Sequence, residues 1–160
     1  MRKRVIGTAP VRTEPSEHGW LDLEELAQVE VTSEDAAHPI EAALAPGEEA
    51  GWRAAHPGPQ TIRLIFDRPQ RLSRVWLLFI EAETPRTQEF VLRWSPDGGR
   101  SFREIVRQQW NFAPPETIRE VENYRVELSG VTVLELAIVP DQGRGEARAS
   151  LARWRLANSP

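Results

Sequence analysis

Residues 86–110, RTQEFVLRWSPDGGRSFREIVRQQW, decide how this chain reads. Phe90, Leu92 and Trp94 recur at every second position, the period of a strand with one face on a core. Ser95-Pro96-Asp97-Gly98-Gly99 then supplies turn chemistry: a short acid that can accept backbone N–H groups, and glycines free to take positive φ. A second strand follows over 102–110. The segment is an antiparallel hairpin.

Working outward, strand signals crowd both sides of it. Residues 26–32 (LAQVEVT) alternate, with Ala27, Val29 and Val31 on one side. Residues 60–66 put Ile62, Leu64 and Phe66 on one face. Residues 72–80 (LSRVWLLFI) are almost continuously apolar, as expected for a strand covered on both faces. Residues 120–128, 131–139 and 149–156 complete the set. With about eight strands and no long helical period, the fold class is all-β, a sandwich or barrel. Between the first two of these strands lies an irregular segment, 33–59, rich in Gly, Pro and Ala, with one helical turn predicted at 39–44 and Gly47 past its end. Loops of that length in a compact domain are often functional. Residues 1–25 read as an N-terminal arm in which Val5-Ile6 could add a short strand, and 26–157 as one sandwich domain.

Composition narrows the function classes. A chain of 160 residues with 40% hydrophobic content can bury one ordinary core. Its net charge of −4 gives no general field for nucleic acid; such binding would need a local face built from Arg103, Arg107, Arg119 and Arg125. Lys3 is the only lysine, so positive charge is carried by arginine. There is no cysteine, which excludes disulfides and thiol chemistry and suits a reducing, cytoplasmic location. The start, MRKRVIGTAP, lacks the apolar run of a secretory signal, and no stretch has the length of a membrane span. Neither Gly-x-Ser-x-Gly nor a phosphate loop is present, and no enzyme activity is expected.

The ordered features resemble the discoidin, or coagulation-factor C-domain, family of the galactose-binding-like superfamily. The residues that carry the resemblance are Ala42-Ala43-Leu44 followed by Gly51-Trp52-Arg53-Ala54, then Gln60-Thr61-Ile62-Arg63-Leu64-Ile65-Phe66, the Asp67-Arg68-Pro69 break, Ser95-Pro96-Asp97-Gly98 and the closing Ser150-Leu151-Ala152-Arg153-Trp154-Arg155-Leu156. It implies a jelly-roll β-sandwich that binds ligands through loops at one rim. Many relatives hold a structural calcium. Here Glu34, Asp35, Glu48 and Glu49 lie near the relevant loop, but Ala149-Ser150-Leu151 stands where the closing acid would be, so no cofactor is expected. Ser95 to Phe102 also resembles the Asp-box of sialidases, in which the Asp ties a hairpin turn; one copy makes a turn, not a propeller.

The expected function is therefore a non-catalytic binding module for a carbohydrate or small polar ligand, with an intracellular protein-interaction adaptor as the alternative. Candidate ligand contacts come from four loops: Trp52, Arg53 and His56 in the long segment, Arg86 and Gln88 in EAETPRTQ, Trp110 and Asn111 in QQWNFAPP, and Arg144 in DQGRGEAR. Trp52 reads as a cap on the core, which the resemblance implies is the commoner fate of that Trp, or as a platform for a sugar ring; Trp110 with Phe112 reads equally as a binding surface or loop packing. The three histidines lack a paired zinc spacing, so no metal residue is assigned.

Overall fold

Two strands are too long to be straight. In the computed structural model, which describes residues 19–45, 51–143 and 145–158, β3 (Gln60–Ile80) and β6 (Arg119–Val139) each run 21 residues. At about 3.3 Å per residue each would extend roughly 70 Å, well beyond the diameter of a domain this size. Both bend instead. In β3 the register shifts between Ile65 and Arg74, around Pro69, which has no N–H to give to the ladder. In β6 the bend falls opposite, where Gly130 takes φ of +70°.

The bend divides one hydrogen-bonded network into two layers. The first halves of β3 and second half of β6 lie in a five-strand layer with β1 (Ala27–Val31), β4 (Arg86–Ser95) and β5 (Arg103–Phe112), in the order β1-β3-β6-β4-β5. The second half of β3 pairs with the first half of β6 and with β8 (Arg153–Ala157). Two short elements, β2 (Trp52–Arg53) and β7 (Ser150–Leu151), pair only with each other. All pairings are antiparallel. The all-β sandwich expected from the sequence is the observed fold. What differs is segmentation: the sequence divides β3 and β6 into four separate strands, and the ladder runs through both divisions.

The core lies between the layers. Ile62, Leu64 and Phe66 meet Leu72, Val75, Leu77, Phe79, Phe90, Leu92, Leu134, Leu136, Trp154 and Leu156, all buried. Truncating an aromatic such as Trp154 here would cost about 3–5 kcal/mol. The run over 72–80 is covered on both faces, since Trp76 and Leu78 point the other way and are buried as well. Two short helices, α1 (Leu23–Leu26) and α2 (Glu41–Leu44), cover the sandwich with Leu23, Ala43 and Leu44. The Arg155 guanidinium donates to the Ala43, Leu44 and Ala45 carbonyls, meeting acceptors that the short α2 leaves open. Trp20 bridges Ala157, and the Leu21 amide donates to the Leu156 carbonyl, so the fold already includes residues of the expected arm. Val5-Ile6 and Gly47 lie outside the described residues. No described helix is long and apolar enough to cross a membrane.

The hairpin turn is closed on itself. Asp97 accepts from the Ser95 and Ser101 hydroxyls at 2.7 and 2.6 Å and from the Ser101 amide at 2.9 Å. Ser95 Oγ accepts from the Asp97 and Gly99 amides. Thr132 Oγ1 joins the turn to β6, accepting from Gly98 N–H and donating to the Ser95 carbonyl. The hydroxyls of Ser101 and Ser95 hold the Asp97 carboxyl far below its usual range.

Candidate functional site

At the other end of β4 the loops do not close. A cleft of about 250 Å³ lies among His38, Trp52, Arg53, Ile80, Glu81, Ala82, Glu83, Arg148 and residues 150–152. Its construction starts with the β2–β7 ladder, Trp52 opposite Leu151 and Arg53 opposite Ser150. Gly51 makes that ladder possible. It has φ of +69°, and a Cβ there would stand 2.8 Å from Ala152 Cα and Leu151 O, so glycine is required by conformation and by space. The turn over residues 35–38 is stitched onto Arg53: the Asp35 amide donates to the Arg53 carbonyl, and the Arg53 amide to the His38 carbonyl. This sets His38 and Arg53 side by side on one wall.

The opposite wall is the turn after β3. One Glu81 carboxylate oxygen accepts from the Glu83 and Thr84 amides, and the other from Arg86 Nε at 2.8 Å. Burial opposes ionisation of Glu81, but the Arg86 guanidinium and the two amides outweigh it, and its carboxyl titrates below the usual value. Arg86 itself has no exposed side-chain surface. It donates to Gln88 Oε1, the Pro140 carbonyl and Ser150 Oγ, and its guanidinium lies 4.7 Å from the Phe112 ring centre. One cation thus joins β4, β5 and β7, the residue that follows β6, and the cleft wall.

Behind Arg86 the network continues inward. Gln88 Nε2 donates to Glu120, and Tyr124 donates to Glu122 at 2.6 Å. Glu120 and Glu122 sit two apart on β6 and share the face turned to the core. Burial, with the Glu122 carboxylate as a second cause, pushes the Glu120 carboxyl up to about 9, so it is neutral at physiological pH. The Tyr124 hydroxyl is also pushed up, by burial and then by Glu122.

The sequence-predicted residues divide accordingly. Trp52 and Arg53 line the cleft. Trp52 is also a core residue, 1% exposed, with its indole N–H on the Ser33 carbonyl, so only its edge borders the cleft. His56 is exposed on the turn after β2 and is not among the cleft's lining residues. Arg86 and Gln88, expected to face a ligand, face the interior instead. Counting back in twos from Phe90 puts both on the core side of β4, where their polar groups are met by the network above. Trp110 and Asn111 border a separate hollow on β5 with Gln109 and Thr117. The Trp110 indole packs against the core, and Asn111 accepts from the Thr87 hydroxyl at 2.8 Å. Arg144 lies outside the described residues.

The sequence reading did not select His38, Ile80, Glu81, Glu83 or Arg148. His38 was visible as one of two His-Pro pairs; nothing in the sequence showed which pair the fold would bring to the rim. The four arginines considered for a basic face do not assemble. Arg107 is paired with Glu89 and Glu104, Arg103 lies over Trp94, and Arg119 and Arg125 belong to the other layer. Of the acids considered for calcium, Glu34 accepts from the Ile40 amide and Asp35 from the Ala37 amide; Glu48 and Glu49 lie outside the described residues. Ser150, at the position of the missing closing acid, gives its hydroxyl proton to the Ile80 carbonyl. Among the described residues no three His, Asp or Glu side chains form a metal-sized cluster.

No family model and no curated protein matches the chain in sequence. Solved structures do match in shape. A family 32 carbohydrate-binding module from C. perfringens NanJ, in complex with galactose, has 15% identity and a TM-score of 0.63 over 86% of this chain and 97% of that one. The family 32 module of AlyQ, in complex with 4,5-unsaturated mannuronic acid, has 12% identity and a TM-score of 0.63 over 89% and 100%. Reduced XRCC1, bound to the DNA polymerase β catalytic domain, has 14% identity and a TM-score of 0.59 over 84% and 97%. The fold of this chain is a β-sandwich similar in shape to these family 32 carbohydrate-binding modules.

Proposed function

We propose that the chain is a non-catalytic carbohydrate-binding module of discoidin-like type and that its ligand occupies the cleft at the β2–β7 rim. One observation carries this reading. Ile80, the one large hydrophobic residue exposed among the described residues, stands in the same small cleft as His38, Arg53 and Ser150. A sugar needs that mixture: an apolar patch for its C–H face and convergent polar groups for its hydroxyls. The solved neighbours of like fold that hold galactose and an unsaturated mannuronic acid support the class of ligand. The rim is anchored: its backbone amides donate to the His38, Ile118 and Ala149 carbonyls, and the Trp52 indole donates to the Ser33 carbonyl.

The test is a glycan array followed by calorimetry of each hit with the wild type and with Ile80→Asp and Arg53→Ala. Saturable binding that both substitutions abolish is the expected result. Silence across the array, or binding that ignores both substitutions, would overturn the assignment.

A second reading keeps the fold and changes the ligand. The XRCC1 structure, of similar shape, is bound to a polymerase domain. In that reading this chain is an adaptor in the cytoplasm, and the hollow at Trp110 and Asn111 on edge strand β5 would be its contact surface. A stoichiometric partner that is lost with Trp110→Ala and kept with Arg53→Ala would favour the adaptor over the glycan module.

A further inference from the structure

The charges of the cleft are not balanced in the way they first seem. Two acids border it, Glu81 and Glu83, against two arginines, Arg53 and Arg148. The Glu81 carboxylate is already matched: the buried Arg86 neutralises it at 2.8 Å, and two backbone amides take its other oxygen. Asp35, next to the cleft, gives one oxygen to the Ala37 amide and lies 3.6 Å from His38. The Ala37 amide is the main reason its carboxyl titrates low; His38 and a longer-range attraction to Arg148 add to this.

The arginines are in the opposite position. Arg53 and Arg148 have no ion-pair or side-chain hydrogen-bond partner among the described residues. Arginines on the neighbouring sheet are engaged, Arg63 and Arg93 with Glu135 and Arg107 with Glu89 and Glu104. A guanidinium carries five N–H donors and no acceptor. Two of them therefore bring an excess of donors into a cleft whose main acceptor is already satisfied. Planar carboxylate groups answer that geometry best, through paired N–H···O bonds.

We propose that the cleft selects acidic saccharides, with the carboxylate of a uronic acid ring held by Arg53 and Arg148. This rests on the carbohydrate-module reading and adds the chemical class of its ligand. Glu83 would face the ring's hydroxyls, and Ile80 its apolar face.

The experiment titrates the full chain with oligosaccharides of galacturonate, mannuronate and glucuronate, each beside its carboxyl-esterified, uncharged counterpart. At least one acid form should bind about tenfold more tightly than its ester, the worth of one charge-assisted contact. That advantage should shrink with added salt. It should vanish in Arg53→Gln and Arg148→Gln, whose exposed or half-buried side chains leave the core intact; an unchanged melting temperature checks this. Equal binding of acid and ester, lost in the Ile80→Asp cleft variant, would overturn acid selection while leaving the carbohydrate module standing. If no sugar of either form binds, and the glycan array is silent, both fall together.

Discussion

The two ends of the β4–β5 hairpin use similar residues for opposite purposes. At the turn, Ser95, Asp97, Ser101 and Thr132 meet one another, and no carboxylate oxygen of Asp97 is left without a donor. At the rim, Glu81 and Arg86 are matched as completely, yet they act as a frame around Arg53 and Arg148, which are not. Polar density alone therefore does not mark a site. The useful quantity is the remainder after each donor has been assigned an acceptor.

The sharpest way to break this contrast is to remove the frame. Arg86→Ala leaves Glu81, Gln88 and the Pro140 carbonyl without their shared donor in the interior. A loss of about 3–5 kcal/mol is expected, read as a fall in Tm of roughly 10 °C. A shift no larger than that of Arg53→Ala would mean that Arg86 is not the keystone of the rim.

Gly51→Ala comes next. Its methyl group would meet Ala152 and Leu151 backbone atoms, and the residue would be held at positive φ. Destabilisation of about 1–3 kcal/mol is expected by chemical denaturation, with loss of ligand affinity because the β2–β7 ladder carries Arg53.

Glu120→Gln tests the interior by pH. The unfolded chain releases the Glu120 proton near the ordinary value of 4.5, whereas the folded chain keeps it to about 9. The unfolded state thus binds fewer protons in that window, and stability falls as pH rises through it, by on the order of 1 kcal/mol per unit. Gln88 Nε2 retains its acceptor in the variant, so the alkaline slope should flatten while stability at pH 5 changes little. Glu81 works in the other direction. Its lowered carboxyl stabilises the fold above 4.5, and that contribution disappears as pH falls further.

The smallest effect is expected at the turn. Asp97→Ala should speed amide exchange at Ser101 and Gly99 and leave saccharide affinity unchanged. A change in affinity would show that the two ends communicate along β4.

Much of the fold could be read before any coordinates, because period-two alternation is a direct record of which residues face the core. The rim was less legible. Arg86 and Gln88 stand in a loop-like sequence, yet they share the parity of Phe90 and Leu92; extending that count would have turned both inward. Glu120, Glu122 and Tyr124 have the same parity on β6, but carboxylates on a core face are not expected unless their partners are known, and the partner of Glu120, Gln88, comes from β4. Arg148 stands in a Gly-containing, charged stretch of sequence, and no local rule marks it as a residue of the cleft. Distant pairings such as Arg53 opposite Ser150 depend on closure of the whole sandwich, which local patterns do not encode.

The bends in β3 and β6 bear on how the molecule comes apart. Both layers are made from the same two strands, so neither can peel away while the other persists. Opening should therefore be all-or-none across the two layers. Amides at Leu64 in one layer and Leu77 in the other should exchange with a common free energy of global unfolding, and the β2–β7 ladder, whose Trp52 and Leu151 belong to the same core, should open with them.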